Sequence, residues 1–388
     1  MSEATATRAS WRRLVPAAVL ALAAAIVAAL LLPAGGQAAR GDARVVQVMT
    51  RNLYLGADLG PAIAASSSSE FIRENGEILR NVVANKFPVR ARGLAGEIRR
   101  KRPDLVGLQE VSLWRTGEAD ASVPFTGEFK ATNVLVDYLK VLMRKLNAGK
   151  KRYRIVHVQP EFDFEAPADY DDNPSTGPGG GEINGRLTMR DVILARVGAG
   201  VQTKGAKGGH FDTLYTATVA GIVPVSVERG WNQVNARVRG SRSFRFVNTH
   251  LEAFGDPQVR EAQAKELIAK GGPARGALPV VLVGDLNSDD NTVQGQDRLA
   301  YLALKKRGFR DRSTENPMSC CLDYTADTDV ITANVGSRSD FDHHIDHVLT
   351  NRPAKVKRLA SSVTGRSPER GFWNSDHAGV FSKLLIRP

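Results

Sequence analysis

From about residue 44 onward, hydrophobic positions fall into two rhythms that alternate along the chain. Short runs of β-branched and aliphatic residues predict strands at Val45–Met49, Asp104–Gln109, Arg154–Val158, Val192–Arg196, Phe244–Thr249, Val280–Gly284, Ile345–Leu349 and Gly379–Leu384. Longer stretches with apolar residues at every third or fourth position predict helices at Glu70–Asn85, Pro88–Lys101, Phe129–Leu146, Gln258–Lys270 and Asp297–Lys306. Strands interleaved with helices over the whole length imply an α/β or α+β domain and argue against a helical bundle. Glu161–Gly181, with its acids, Pro167, Pro174, Pro178 and a triple glycine, reads as a surface loop, and Gly198–Gly209 as a second flexible segment. Neither has the length or character of an interdomain boundary, and no internal repeat is present.

Ahead of this pattern lies a different one. A basic stretch with Arg8, Arg12 and Arg13 leads into an apolar run from Leu14 to Leu32, followed by small residues through Ala39. Residues 1–39 therefore read as a secretory signal, leaving a domain at 40–388; a retained membrane anchor is the alternative, because the run approaches the length of one span. The expected location is secreted, or anchored and facing outward.

Composition narrows the class further. A 42% hydrophobic fraction supports a substantial core and excludes disorder as the default. Lys and Arg number 53 against 41 Asp and Glu, a formal charge of +12 that favours polyanionic partners, nucleic acid or anionic headgroups, although solubility alone also accounts for such a bias. The two cysteines, Cys320 and Cys321, are adjacent, so they close no long loop and cannot frame a disulfide-rich fold. A vicinal disulfide and two free thiols both remain open.

The chemistry lies at the C-terminal ends of predicted strands, where polar side chains reach a cleft while the strand stays buried. Asn52, Gln109, Glu110, Asn248, His250, Asp285 and Asn287 all fall there. Asp285 and Asn287 are two apart, which on an extended segment places both on one face after the turn-permissive Gly284. A carboxylate that orients or deprotonates water, beside an amide that steadies a phosphate oxygen, suits phosphoryl chemistry. A bare Asp-x-Asn is also a common turn. Glu110 is the natural ligand for a hard cation, with Asn52 orienting it or touching the metal. Asp376 and His377 are adjacent and so need separate partners, and Asp346 is the best candidate to pair with His377. A transition-metal cluster of His343, His344, Asp346 and His347 is the competing reading, which alternation disfavours by setting His344 and Asp346 on one face and His343 and His347 on the other.

In order, Thr50-Arg51-Asn52-Leu53-Tyr54, Leu108-Gln109-Glu110, Asn248-Thr249-His250-Leu251, Gly284-Asp285-Leu286-Asn287, Ile345-Asp346-His347-Val348 and Ser375-Asp376-His377 resemble the motifs of the endonuclease/exonuclease/phosphatase superfamily. The resemblance implies a four-layer α/β sandwich, two mixed sheets face to face with helices outside. It implies that Asn52 and Glu110 bind Mg2+, Mn2+ or Ca2+, with Asp376 nearby, and that Asp285 and Asn287 position water and phosphate. His250 would then stabilise the pentacovalent state or protonate the leaving oxygen, and His377, oriented by Asp346, would act as base or phosphate ligand. Arg190 stands where members place a phosphate contact.

The expected activity is metal-dependent phosphodiester hydrolysis by in-line attack of water. Among substrates, the basic charge and the leader favour nucleic acid and an extracellular nuclease. A sphingomyelinase-like phospholipase C acting on a lipid headgroup, or a small-molecule phosphatase, is the alternative. An inactivated binding module is disfavoured, because every expected catalytic position is filled.

Overall fold

The computed structural model describes residues 44–173, 181–290, 297–314, 317–323 and 329–387. The leader, residues 1–39, lies outside the described residues. Residues 43–388 form one compact unit.

In chain order the strands are β1 (Arg44–Asn52), β2 (Leu105–Gln109), β3 (Leu113–Glu118), β4 (Asn133–Asp137), β5 (Tyr153–Ala168), β6 (Ile183–Arg196), β7 (Val201–His210) and β8 (Tyr215–Val219). They continue with β9 (Val223–Val227), β10 (Gly230–Val238), β11 (Phe244–His250), β12 (Val280–Asp285), β13 (Arg310–Asp311), β14 (Asp346–Thr350), β15 (Val356–Thr364) and β16 (Gly379–Ile386). The helices are α1 (Gly60–Ala64), α2 (Ser68–Ala84), α3 (Phe87–Lys101), α4 (Val123–Thr126), α5 (Tyr138–Leu146), α6 (Pro257–Ile268) and α7 (Leu299–Lys306).

Two mixed sheets carry the fold. One has the order β15-β16-β1-β2-β6-β3-β4, with β5 on the other edge of the long β6; the second runs β13-β14-β12-β11-β10-β7. Each holds one parallel pair, β1 with β2 and β11 with β12, among antiparallel neighbours. Alternation along each strand explains the layering. Val46 and Val48 of β1, Phe244 and Phe246 of β11, Val281 and Val283 of β12 and Val348 of β14 pack between the sheets. The opposite faces meet helices: Met49, Val106 and Leu108 pack with α2, α3 and α5, while Val280, Leu282 and Leu349 pack with α6 and α7. The result is the expected four-layer sandwich.

Three expectations are corrected. Helix occupies only the second half of the predicted Phe129–Leu146, since β4 covers Asn133–Asp137 and Asp137 then caps α5 by accepting the Lys140 N–H. The predicted loop at Glu161–Gly181 is strand as far as Ala168. Its prolines are tolerated because β5 pairs on one side alone, and the register shifts between Pro160 and Asp163. Gly198–Gly209 is likewise mostly strand, a glycine-rich edge that among the described residues pairs only with β10.

Candidate active site

The alternation that fills the space between the sheets also builds the site. Continuing each inward-facing series to its strand's end gives Asn52 after Val46 and Val48, Asp285 after Val281 and Val283, His250 after Phe246, and Asp346 before Val348. Register then aligns them: His250 pairs with Asp285, and Asp285 with Asp346, across three adjacent strands. On the other sheet Asn52 pairs with Gln109. The site is thus the polar rim of the apolar layer between the sheets.

Two backbone features make this close approach possible. A Cβ at Gly107 would sit 2.3 Å from Asn248 Oδ1, so glycine leaves room for the link between sheets in which Gln109 Nε2 donates to Asn248 Oδ1 at 2.5 Å. A Cβ at Gly284 would sit 2.0 Å from the Thr249 carbonyl, so only glycine fits directly before Asp285. Asn287 departs from the simple alternation. The strand ends at Asp285, whose Oδ1 accepts the Asn287 N–H at 2.9 Å, and Asn287 turns into the left-handed region at φ 46°. Its Nδ2 donates to the Leu251 carbonyl at 3.0 Å and lies 3.2 Å from His250 Nε2, so it still joins the site.

Asp285 is the centre. Its Oδ2 lies 3.6 Å from both His250 Nε2 and His377 Nε2 and accepts from Asn52 Nδ2 at 3.1 Å. The same Asn52 nitrogen donates to Glu110 Oε1 at 2.9 Å, so one amide ties carboxylates from both sheets together. Asn52 Oδ1 accepts the Tyr54 N–H at 2.9 Å, and Asn52 therefore presents N–H groups to the cleft. Glu110, in a left-handed conformation, also accepts the Leu55 N–H at 2.7 Å. His377 Nδ1 lies 2.8 Å from Asp346 Oδ2, the expected pairing, while Asp376 turns the other way and accepts from the Ser375 hydroxyl at 3.2 Å.

Electrostatics follow from crowding acids in a buried rim. Burial, then the charge of Asp376, raises the Glu110 pKa, and burial above all pushes Asp285 up to about 7. Burial alone would lower His377, but Asp346, Asp285 and Asp376 together hold it well above the ordinary range. His250 is driven well below that range by burial, the Arg229 guanidinium and His377. Arg229 Nη1 stands 3.0 Å from His250 Nδ1 and can only donate, so Nδ1 accepts and the neutral ring carries its hydrogen on Nε2, facing Asp285.

Several supporting residues receive no role from motif reading. Arg51, fully buried and paired with Glu97 at 3.2 Å, donates to the His377 carbonyl at 2.5 Å and fixes the Ser375–His377 turn. Arg229 is a second, and buried Asp191, whose pKa burial raises well above its usual value, is a third. An arginine inside an apolar run is the signal that would have flagged Arg51. Arg190 is engaged elsewhere: its guanidinium donates to the Val111 and Ser112 carbonyls and to Asp137, bracing the backbone after Glu110. Cys320 and Cys321 form a vicinal disulfide, with Cys320 Sγ 3.7 Å from His377 Nε2.

The donor set fits a divalent cation. Glu110, Asp285, Asp346 and Asp376 face one imidazolium, His377; two of these acids have raised pKa values, and Asp346 Oδ1 is buried without a hydrogen bond among the described residues. Partly exposed Glu110 leaves room for water, as a hard cation requires.

Comparison with known proteins agrees. The Endonuclease/Exonuclease/phosphatase family profile matches residues 75–377. No curated protein sequence matches significantly. Among solved structures, an endonuclease/exonuclease/phosphatase family protein from Leptotrichia buccalis is 13% identical, covering 88% of this chain and 100% of its own, with a TM-score of 0.50. A mannosyl-6-phosphatase from Bacteroides thetaiotaomicron is 17% identical over 88% of this chain and 100% of its own, with a TM-score of 0.48. TDP2 from D. rerio, complexed with a single-stranded DNA product, is 15% identical over 88% of this chain and 99% of its own, with a TM-score of 0.46. With motifs, two-sheet architecture and family profile in agreement, the chain belongs to the endonuclease/exonuclease/phosphatase family of phosphoester hydrolases.

Proposed function

We propose that this protein is an exported phosphodiesterase that hydrolyses nucleic acid by in-line attack of water. The observation that carries the reading is Asp285 Oδ2, set between two imidazole nitrogens at 3.6 Å each and tied through Asn52 to Glu110. A carboxylate at this position can orient the attacking water and accept its proton. Neutral His250, donating from Nε2, binds a phosphoryl oxygen and strengthens that bond as charge develops. His377, kept cationic by Asp346, holds a second phosphate oxygen or delivers its proton to the leaving group. Asn287, whose N–H is accepted by Asp285 and whose Nδ2 donates to the Leu251 carbonyl, fixes the turn after Asp285, and Asn52 bridges the two carboxylates. Glu110, Asp285 and Asp376 would hold Mg2+ or Mn2+, which supplies Lewis-acid polarisation of the phosphoryl oxygens.

Support for nucleic acid is the formal charge of +12, and support for export is the composition of residues 1–39. A second reading, lipid headgroup hydrolysis, draws on other features. Ile222, at the turn between β8 and β9, is 61% exposed and Phe125 is 64% exposed. An apolar cavity lined by Ile63, Phe71, Trp114 and Phe254 also reaches Arg229, the partner of His250. The deciding experiment is a panel of plasmid DNA, RNA and sphingomyelin vesicles, each with Mg2+, Mn2+, Ca2+ or EDTA. The nuclease reading expects metal-dependent cleavage of DNA or RNA that weakens steeply with salt. Cleavage of vesicles alone would replace it with the lipid reading.

A further inference from the structure

Asp346 and His347 are consecutive on β14 and face opposite sides of the sheet. His347 enters a pocket on the helix-covered side, under α7, where its ring stacks on Tyr301 at 5.0 Å. There His347, His344 and Asp311 of β13 bring ligating atoms within 4.8 Å of one another. The alternation expected from sequence parted the two histidines, but β14 begins only at Asp346, so His344 lies outside the strand and its ring stands 4.1 Å from that of His347.

His344 is fully buried, and its Nε2 has no hydrogen-bond partner among the described residues. Nδ1 lies 3.1 Å from Asp290 Oδ2, and Nε2 lies 3.9 Å from Asp311 Oδ2. A buried imidazole nitrogen left unsatisfied is costly unless something absent from the protein's own atoms completes it. His347 poses the same problem. Its Nε2 lies 3.0 Å from the Ser288 carbonyl, which only accepts, so Nε2 carries a hydrogen; Nδ1 then faces Asp311 Oδ2 at 2.9 Å. Unless a proton or a metal sits between them, a lone pair confronts a carboxylate.

We propose that His344 Nε2, His347 Nδ1 and the Asp311 carboxylate form a second metal site, separate from the active site, that takes Zn2+ or a similar nitrogen-seeking dication. Ligands 2.0–2.1 Å from a tetrahedral ion stand about 3.4 Å apart. The pairs involving Asp311, at 2.9 and 3.9 Å, bracket that spacing. The outer partners also match: His347 Nε2 donates to a backbone carbonyl, and Asp290 faces His344 Nδ1, the arrangement that orients metal-bound imidazoles. Two imidazoles and one carboxylate favour a transition metal over Mg2+. The ion would clip β13 to β14 and to the turn that leads into it, directly behind Asp346 and Asp285. A proton is the rival occupant, since Asp311 holds His347 above its ordinary range against the effect of burial.

The test is to strip the full protein with chelator, saturate the active site with Mg2+, and titrate Co2+ as a visible-absorbing stand-in for Zn2+. One equivalent of Co2+ should bind with a low-coordinate absorption spectrum that Zn2+ abolishes, and the melting temperature should rise. His344→Gln should lose that equivalent, and Glu110→Gln should keep it. If His344→Gln fails to fold, X-ray absorption at the zinc edge of the wild-type protein decides, by showing two imidazole ligands or not. Folded wild-type protein that takes up no Co2+, or uptake lost in Glu110→Gln and kept in His344→Gln, overturns the proposal.

Discussion

The two faces of β14 bring together the same side-chain types in different proportions. On the face between the sheets, four carboxylates surround one imidazolium, and the cluster opens to a cleft through Glu110. On the helix-covered face, two buried imidazoles meet Asp311 and Asp290 under Tyr301. An open, oxygen-rich rim suits a hard cation with water and substrate in its shell, whereas a closed, nitrogen-rich pocket suits a fixed structural ion. Neighbouring residues of one strand thus acquire different chemistry from what each face already holds.

The largest expected effect separates the faces outright. Asp285→Asn should lower kcat by about 10^3-fold by removing a proton acceptor from the reacting centre. Steady-state assays of phosphodiester hydrolysis measure this, and Co2+ uptake behind β14 should be unchanged. Next, Asp346→Asn should lower kcat by about 10- to 100-fold with little change in KM, since it misorients His377 without removing it. The charge of Asp346 helps hold His377 above its usual range, so the alkaline limb of the pH–rate profile should move to lower pH. An unmoved limb would mean that the pair does not set that ionisation.

A smaller effect concerns protons competing with metal. Because burial pushes Asp285 up to about 7 in the metal-free site, Mg2+ must displace its proton below that pH. Calorimetric titration should find the apparent dissociation constant falling about tenfold per pH unit up to about 7 and levelling above it. Without metal the sign reverses for stability. The raised Asp285 and His377 both favour the protonated folded state, so their contribution is full at low pH and is lost as pH rises through their folded values. Thermal melts of chelated protein should therefore drop towards alkaline pH, and Mg2+ should restore them. The smallest effect on activity belongs to Arg190→Ala. Its guanidinium braces Val111, Ser112 and Asp137, so denaturant unfolding should show a loss of about 1–3 kcal/mol with KM nearly unchanged. A raised KM at full stability would instead make Arg190 a phosphate ligand.

Much of this was legible in the sequence because strand alternation is a local signal. Val281 and Val283 point inward, so Asp285 does too, and the same count places Asn52, His250 and Asp346. What local pattern could not give was long-range closure. Arg51 reads as an intruder in a strand until Glu97 neutralises it, and Arg229, between β9 and β10, as a loop charge until His250 and Glu252 receive it. Edge strands misled for a related reason. The prolines of β5 and the glycines of β7 look like loop, yet pairing on a single side tolerates both. The Asp311, His344 and His347 cluster was missed because periodicity was extended two residues beyond the start of β14.

In the proposed reaction, carboxylates from two sheets converge to hold one cation over one phosphorus. Its most direct test is hydrolysis of bis-p-nitrophenyl phosphate by wild-type protein and Glu110→Gln as Mg2+ is titrated from zero in chelator-treated buffer. The expected results are no turnover without metal, saturable recovery for the wild type, and a Mg2+ requirement in Glu110→Gln shifted to much higher concentration. Equal turnover in EDTA, or identical Mg2+ curves for the two proteins, would contradict it.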